Sequence, residues 1–311
     1  MPDNDRDIVV LMSTHNGEDF VAEQVESLRT QTVAERMHLI IRDDGSTDAT
    51  LAVLESLPLE PLTLQIMSGT NLGPRDSFAA AAGAVPANAR TIMFCDQDDV
   101  WLPDKVEAAA RVIEAADEDV PTLYCGRSII TDAHLQAVGI TDDAPRGPSF
   151  RNALFQNIAP GHTMAVNVRL LHLFGQTINP DAIMHDWWLY CLAAGLGTVV
   201  FDPEPHAYYR LHGANQIGYQ ATRLQRAWSG VKRLVSEDRT VLTSQAAALS
   251  RAIGPDLDDG DRATLAAFLD QDHLASRWRY LRRYPMTAQT RRTPWVSSLL
   301  FLAGRYRKRQ W

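Results

Sequence analysis

Cysteine is scarce: Cys95, Cys125 and Cys191 are too few, odd in number and too scattered for a disulfide framework or a paired-cysteine metal site. A reducing cytoplasm is the compartment this implies. Long apolar runs are missing too. No uncharged stretch reaches the roughly 18 to 20 residues that cross a bilayer, and the tail run from Trp295 to Gly304 ends at Arg305. The start, Met1-Pro-Asp-Asn-Asp-Arg-Asp7, has neither the basic opening nor the apolar core of a secretory signal, so export is not expected. There is no internal repeat and no low-complexity tract.

What is present suffices for a globular protein. With 45% hydrophobic and 22% charged residues in 311, the chain accommodates one large α/β domain and a smaller appendage. The net charge of -8 is unevenly spread: from Gln271 to Trp311, ten Arg and Lys accompany one acid, Asp272. An acidic body disfavours nucleic acid, and a basic, Trp-containing tail suits an anionic lipid surface.

Strand and helix signals alternate through the first hundred residues. Ile8 to Ser13 reads as a strand, Phe20 to Leu28 as a helix, His38 to Arg42 as a strand, and Leu51, Leu54 and Leu57 as one face of a helix. Leu62 to Met67 and Thr91 to Cys95 are further strands, with an alanine-rich helix between them over about Ser77 to Ala84. This order implies a parallel sheet covered on both faces, with ligands beyond the carboxyl ends of its strands. Past Pro103 a helix runs to about Asp117, short strands are expected near Tyr124, Ile129 and Thr163 to Val166, and His185 to Ala194 is helical. From about Gln220 the pattern is helical, with breaks at Gly254-Pro255 and Tyr284-Pro285.

The loops carry the chemistry. Asp96-Gln-Asp98-Asp99-Val-Trp101 places three carboxylates in four positions after the fourth strand. Charges this close repel unless a cation joins them, and hard oxygen ligands suit Mg²⁺ or Mn²⁺. A solvated acidic turn capping the next helix is the plainer alternative. Asp43-Asp44-Gly45-Ser46-Thr47-Asp48 supplies a tight turn and acceptors for a base edge or ribose hydroxyls, or a turn with an N-cap and nothing more. Ser13-Thr14-His15-Asn16-Gly17-Glu18 and Thr70-Asn71-Leu72-Gly73-Pro74-Arg75 converge on the same sheet edge.

Taken in order, these motifs resemble glycosyltransferase family 2, whose GT-A (Rossmann-like) fold carries a first-strand nucleotide loop, a Val-Asp-Asp-Gly-Ser-Thr-Asp turn and an Asp-x-Asp metal motif. Asn16-Gly17-Glu18, Gln31-Thr32, Asp96 to Trp101, His185-Asp-Trp-Trp188 and Tyr209-Arg-Leu-His-Gly213 are closest to its rhamnosyltransferase-like branch. The resemblance spans about Asp7 to Gly218, leaving the tail without motif support. It implies a GT-A domain over residues 1–220 and a mainly helical region over 221–311.

The resemblance also implies roles. Thr14, Asn16, Asp43, Asp44 and Arg75 would bind the nucleotide donor, with Arg210 on its phosphates. Asp96 and Asp98 would form the metal and diphosphate site, with His212 as a further ligand. Asp186 stands where relatives carry the catalytic base, and Trp187 would stack on the acceptor sugar. The expected reaction is inverting transfer, with Mg²⁺ or Mn²⁺, from a dTDP- or UDP-sugar to a hydroxyl of a glycan or lipid-linked glycan. A deoxysugar such as rhamnose is implied, at the inner face of the cell membrane. His15 departs from the aromatic common before Asn-Gly, and Ser77 from a common Asn; both bear on donor identity. A sugar-1-phosphate nucleotidyltransferase needs a glycine-rich loop after the first strand, where only Gly17 stands. A non-catalytic nucleotide- or glycan-binding module would not need Asp186. The tail segments Arg277 to Arg283 and Trp295 to Arg309 have the composition of interfacial membrane helices. A helix docked on the catalytic domain or on a second subunit fits them as well.

Overall fold

The structure, a computed structural model, describes residues 6–212, 240–284, 289 and 294–305. The first half is the expected alternation: β1 (Ile8–Thr14), α1 (Val21–Arg29), β2 (Met37–Asp43), α2 (Thr50–Ser56), β3 (Thr63–Ser68), α3 (Pro74–Ala82) and β4 (Thr91–Asp96). There follow β5 (Val100–Trp101), α4 (Lys105–Glu114), β6 (Thr122–Thr131), β7 (Ala137–Ile140), α5 (Phe150–Ala153), β8 (Ala165–Asn167), α6 (Val168–Thr177), α7 (His185–Leu196) and β9 (Thr198–Arg210). The carboxyl-terminal helices are α8 (Thr240–Ile253), α9 (Asp259–Leu269), α10 (Leu274–Arg283) and α11 (Pro294–Leu302).

Among the described residues there is one nine-stranded sheet, ordered β3-β2-β1-β4-β8-β6-β9-β5, with β7 beside β6. β3, β2, β1 and β4 are parallel, as their helical crossovers require. The sheet then departs from the all-parallel expectation, because β8 runs antiparallel to both β4 and β6. Ile8 to Met12 in β1 and Ile92 to Cys95 in β4 are fully buried, since helices cover both faces there.

One consequence of the register is functional. Thr14 lies opposite Asp43, and Ser13 opposite Asp96, so three motif-bearing strands end side by side. Neighbouring strands lie about 4.8 Å apart, which brings the loops that follow them into one cleft.

Two strand expectations need correction. The strands near Tyr124 and Ile129 are one ten-residue strand, β6. The thirteen-residue β9 was not anticipated, because Pro203 and Pro205 interrupt its pattern. Proline has no N–H for the ladder, and the β6–β9 register shifts between Gly126 and Arg127, opposite those prolines.

The carboxyl-terminal helices pack on the sheet layer rather than apart from it. Leu242, Leu249, Ile253, Phe268, Tyr280 and Phe301 belong to the same buried cluster as Phe150, Leu154, Trp188 and Leu192. Phe155 joins the two parts, its ring centroid 4.9 Å from Phe268 and 6.5 Å from Phe301. No helix among the described residues is long and apolar enough to cross a membrane.

Candidate active site

The first two loops are tied together by their own side chains. Thr14 Oγ1 donates to Asp43 Oδ1 at 3.0 Å, and Asp43 also accepts from the Ser46 N–H at 2.9 Å. Asn16 sits in the left-handed region at φ 47°, and its Oδ1 accepts from the Thr47 N–H at 2.8 Å. Thr14 and Asp43 are therefore buried neighbours at the ends of β1 and β2, while Asn16 spends its carboxamide oxygen on loop geometry.

Asp44 is only 3% exposed and holds the third loop. It pairs with Arg42 and accepts from the N–H groups of Leu72 and Gly73, each at 2.8 Å. Arg75 is turned away from this group. Its guanidinium pairs with Asp76 at 2.8 Å and donates to the carbonyls of Pro180 and Ala182. One Nη2 hydrogen remains beyond those bonds, so the structure gives Arg75 a bracing contact with the 180 loop and brings it to no other predicted site residue.

The Asp96–Asp99 loop is pinned from both sides. Gln97 Oε1 accepts from the His15 N–H at 2.9 Å and Gln97 Nε2 donates to the His15 carbonyl at 3.1 Å. This clamp lies against Gly17, where a Cβ would run into the Gln97 carboxamide. On the other side Arg210 donates through Nε to the Asp98 carbonyl at 3.1 Å and through its backbone N–H to Asp99 Oδ1 at 3.3 Å, while its guanidinium also pairs with Glu23. Arg210 thus braces the acidic loop.

Carboxylates and imidazoles meet in this cleft. His212 Nε2 lies 2.7 Å from Asp98 Oδ2, and the His212 ring stacks on Phe20 with centroids 4.4 Å apart. Sequence reasoning missed a second grouping: His162 Nδ1 is 3.9 Å from Asp96 Oδ2 and 3.8 Å from Asp99 Oδ2. The ligand atoms of Asp96, Asp99 and His162 lie within 4.8 Å of one another. Asp99 is fully buried and its Oδ2 has no hydrogen-bond partner. Burial, followed by repulsion from Asp96 and Asp98, pushes the Asp99 carboxyl well up. Asp96 shifts in the same direction, by burial and then by Asp98 and Asp186. Its side chain is 44% exposed to the cleft, so water moderates the burial part and the repulsion is the firmer cause.

His162 is the reverse case. Burial, helped by the Lys105 charge, drives it down to about 3 and keeps it neutral, with Nε2 2.8 Å from Ser128 Oγ and the ring stacked on Tyr209. No spacing motif marks His162. The only cue was its place just before the strand at Ala165.

Asp186 opens α7. Its Oδ2 accepts from the Gly161 N–H at 3.1 Å and its Oδ1 from the Trp187 N–H at 2.6 Å. Burial nevertheless raises its carboxyl to about 6, those N–H groups offsetting part of the effect. Gly161 is next in sequence to His162, so one short turn touches Asp186 through its backbone and faces Asp96 and Asp99 through its ring. Trp187 is partly buried and its indole N–H donates to the Ala153 carbonyl at 2.7 Å; Trp188 is fully buried.

The donor set suits a hard divalent cation. Carboxylate oxygens with one neutral imidazole are ligands that Mg²⁺ tolerates and Mn²⁺ accepts well. Ligands about 2.1 Å from an ion sit roughly 3 Å apart when adjacent, so Asp98 and His212, at 2.7 Å, would need to spread only slightly.

A parallel half-sheet, three loops converging on its carboxyl edge and an Asp-x-Asp loop define a GT-A fold. Solved structures agree on that fold. S. aureus TarS 1-349 in complex with UDP-GlcNAc superposes with a TM-score of 0.61 at 17% identity, over 96% of this chain and 81% of that one. The mannosyltransferase PcManGT from Pyrobaculum calidifontis, in complex with GDP-Man and Mn²⁺, gives 0.50 at 16% identity, over 96% and 86%. Residues 9–156 match the family model Glycosyl transferase family 2. Among curated proteins, the dTDP-rhamnosyl transferase RfbG of Shigella flexneri is 29% identical over 218 residues, 67% of this chain and 73% of its own. An uncharacterized glycosyltransferase of Haemophilus influenzae is 26% identical over 216 residues, 66% of each chain.

Proposed function

We propose that this protein transfers a sugar, with inversion, from a nucleoside diphosphate donor to a hydroxyl of a glycan or lipid-linked glycan. The observation that carries the reading is the Gly161-His162 turn, which joins Asp186 on one side to the acidic loop on the other. It puts a carboxylate of raised pKa within electrostatic reach of Asp96, the arrangement a single displacement needs: a base for the acceptor and a charge-neutralising site for the leaving group.

Thr14 and Asp43 line the nucleoside end, with Asn16 and Asp44 shaping the loops around it. Asp98, His212 and Asp96 would hold a divalent ion, which would supply positive charge against the departing diphosphate. His162 and Asp99 back that site from the protein side. Arg210 and Arg75 support the loops through hydrogen bonds within the protein. Asp186 takes the proton of the acceptor hydroxyl as the new bond forms, because such a hydroxyl is too weakly acidic to ionise first. Trp187 borders the acceptor. Residues 1–220 carry the reaction, and the helices described between Thr240 and Leu302 pack on that part.

Similarity to the dTDP-rhamnosyl transferase of Shigella flexneri supports dTDP-rhamnose as the first donor to try. The test is turnover of dTDP-, UDP- and GDP-sugars with synthetic acceptors, reading the anomeric configuration of the product by NMR. An inverted product, lost in Asp186→Asn with donor binding retained, is expected. A retained configuration, or full turnover by Asp186→Asn, would overturn the mechanism.

A further inference from the structure

Helix α10, Leu-Ala-Ser-Arg-Trp-Arg-Tyr-Leu-Arg-Arg, contains four arginines and no acid. Its two sides differ sharply. Tyr280 is 2% exposed and packs against Phe301 with ring centroids 5.0 Å apart, which fixes the helix on the core. Leu274, Ala275, Trp278, Arg279, Arg282 and Arg283 are all exposed, at the i, i+1, i+4, i+5, i+8 and i+9 spacing of one helical face.

The large apolar members of that face are open to solvent: Leu274 is 61% and Trp278 53% exposed. The Arg282 guanidinium lies 4.7 Å from the Trp278 ring centroid. Trp278, Arg279, Arg282 and Arg283 line a shallow groove of about 260 Å³. An indole flanked by guanidiniums has an apolar body for the acyl boundary and donors for phosphate oxygens.

We infer that this face of α10 docks on an anionic lipid surface, Leu274 and Trp278 entering the interfacial layer and Arg279, Arg282 and Arg283 meeting headgroup phosphates. The charge distribution argues for lipid over nucleic acid. The acidic remainder of the chain would be repelled by any polyanion that wraps the protein, whereas a flat anionic surface attracts the basic face and leaves the acidic body turned away. The placement also separates two tail segments that composition alone did not distinguish. Phe301 of α11 is fully buried, so that helix is anchored on the protein, and among the described residues α10 carries the exposed basic face.

The inference goes beyond the proposed reaction and does not depend on it. It is tested by flotation of the full chain with phosphatidylcholine vesicles, with and without phosphatidylglycerol, at low and high salt. Binding only to the anionic vesicles, weakened by salt, is expected. Each arginine near such a surface contributes about fivefold in affinity, so Arg279→Gln/Arg282→Gln/Arg283→Gln should lower binding on the order of a hundredfold. Trp278→Ala should lower it on the order of tenfold through lost interfacial burial. All four residues are exposed, so unfolding is not expected, and an unchanged thermal unfolding midpoint of the variants serves as the check of an intact fold. Equal binding to neutral vesicles, unchanged binding by the triple variant, or tighter binding to single-stranded RNA would overturn it. Vesicle binding without nucleotide binding would instead count against the proposed function alone.

Discussion

His212 and Asp98, 114 positions apart, meet at 2.7 Å with His212 stacked on Phe20. The end of β9 and the loop after β4 are thereby brought to one point. If the pair holds the metal, His212→Ala should weaken Mn²⁺ affinity and kcat/KM by about 10- to 100-fold, the usual loss on removing a ligand or its support. Metal titration followed through nucleotide binding checks this; an unchanged metal dependence would assign His212 a packing role.

The raised carboxyl of Asp186 sets a pH profile. A base must be ionised, so kcat/KM should fall tenfold per pH unit below about 6 and level off above it. Initial rates at saturating metal provide the test. In Asp186→Asn this limb should vanish along with nearly all turnover.

Gly17 and Gln97 make a second testable pair. Gly17→Ala should push the Gln97 carboxamide off His15, losing both clamp hydrogen bonds, about 1 to 2 kcal/mol of stability, and raising the donor KM. Gln97→Ala makes room for the added methyl. The two substitutions should therefore be strongly non-additive in a double-mutant cycle by thermal unfolding, and simple additivity would refute the clamp.

His185 supplies an acid-sensitive element. It is 4% exposed, packs against Phe78 with centroids 4.1 Å apart, has no partner for either ring nitrogen, and is driven by burial down to about 3. The unfolded chain binds a proton near pH 6.5 and the native state does not, so stability drops as pH falls through that value. About 2 kcal/mol should go between pH 6.5 and 5. Denaturation curves of His185→Leu should show a shallower acid slope.

Much of this was legible in the residues. The buried runs of β1, β2 and β4 and the loops after them were placed because long apolar strands punctuated by Gly, Asp and Ser leave little choice. β9 escaped because Pro203 and Pro205 hide a strand whose ladder is broken by a register shift. The site was half readable. Asp96 and Asp98 stand out by clustering and Asp186 only through the family resemblance, whereas His162 reaches Asp96 and Asp99 only through the turn that precedes β8 beside β4 and β6. Asp44, Asn16, Arg75 and Arg210 are of types that bind nucleotides, and sequence gives no sign that their hydrogen bonds are largely used within the protein.

The proposed metal-dependent nucleotide-sugar site is built on Asp98. Calorimetric binding of dTDP, UDP and GDP with and without Mn²⁺, for the parent protein and Asp98→Ala, tests it most directly. Binding of one nucleotide that requires Mn²⁺ and is lost in Asp98→Ala is the expected result; binding of none, or binding indifferent to both metal and substitution, would contradict it.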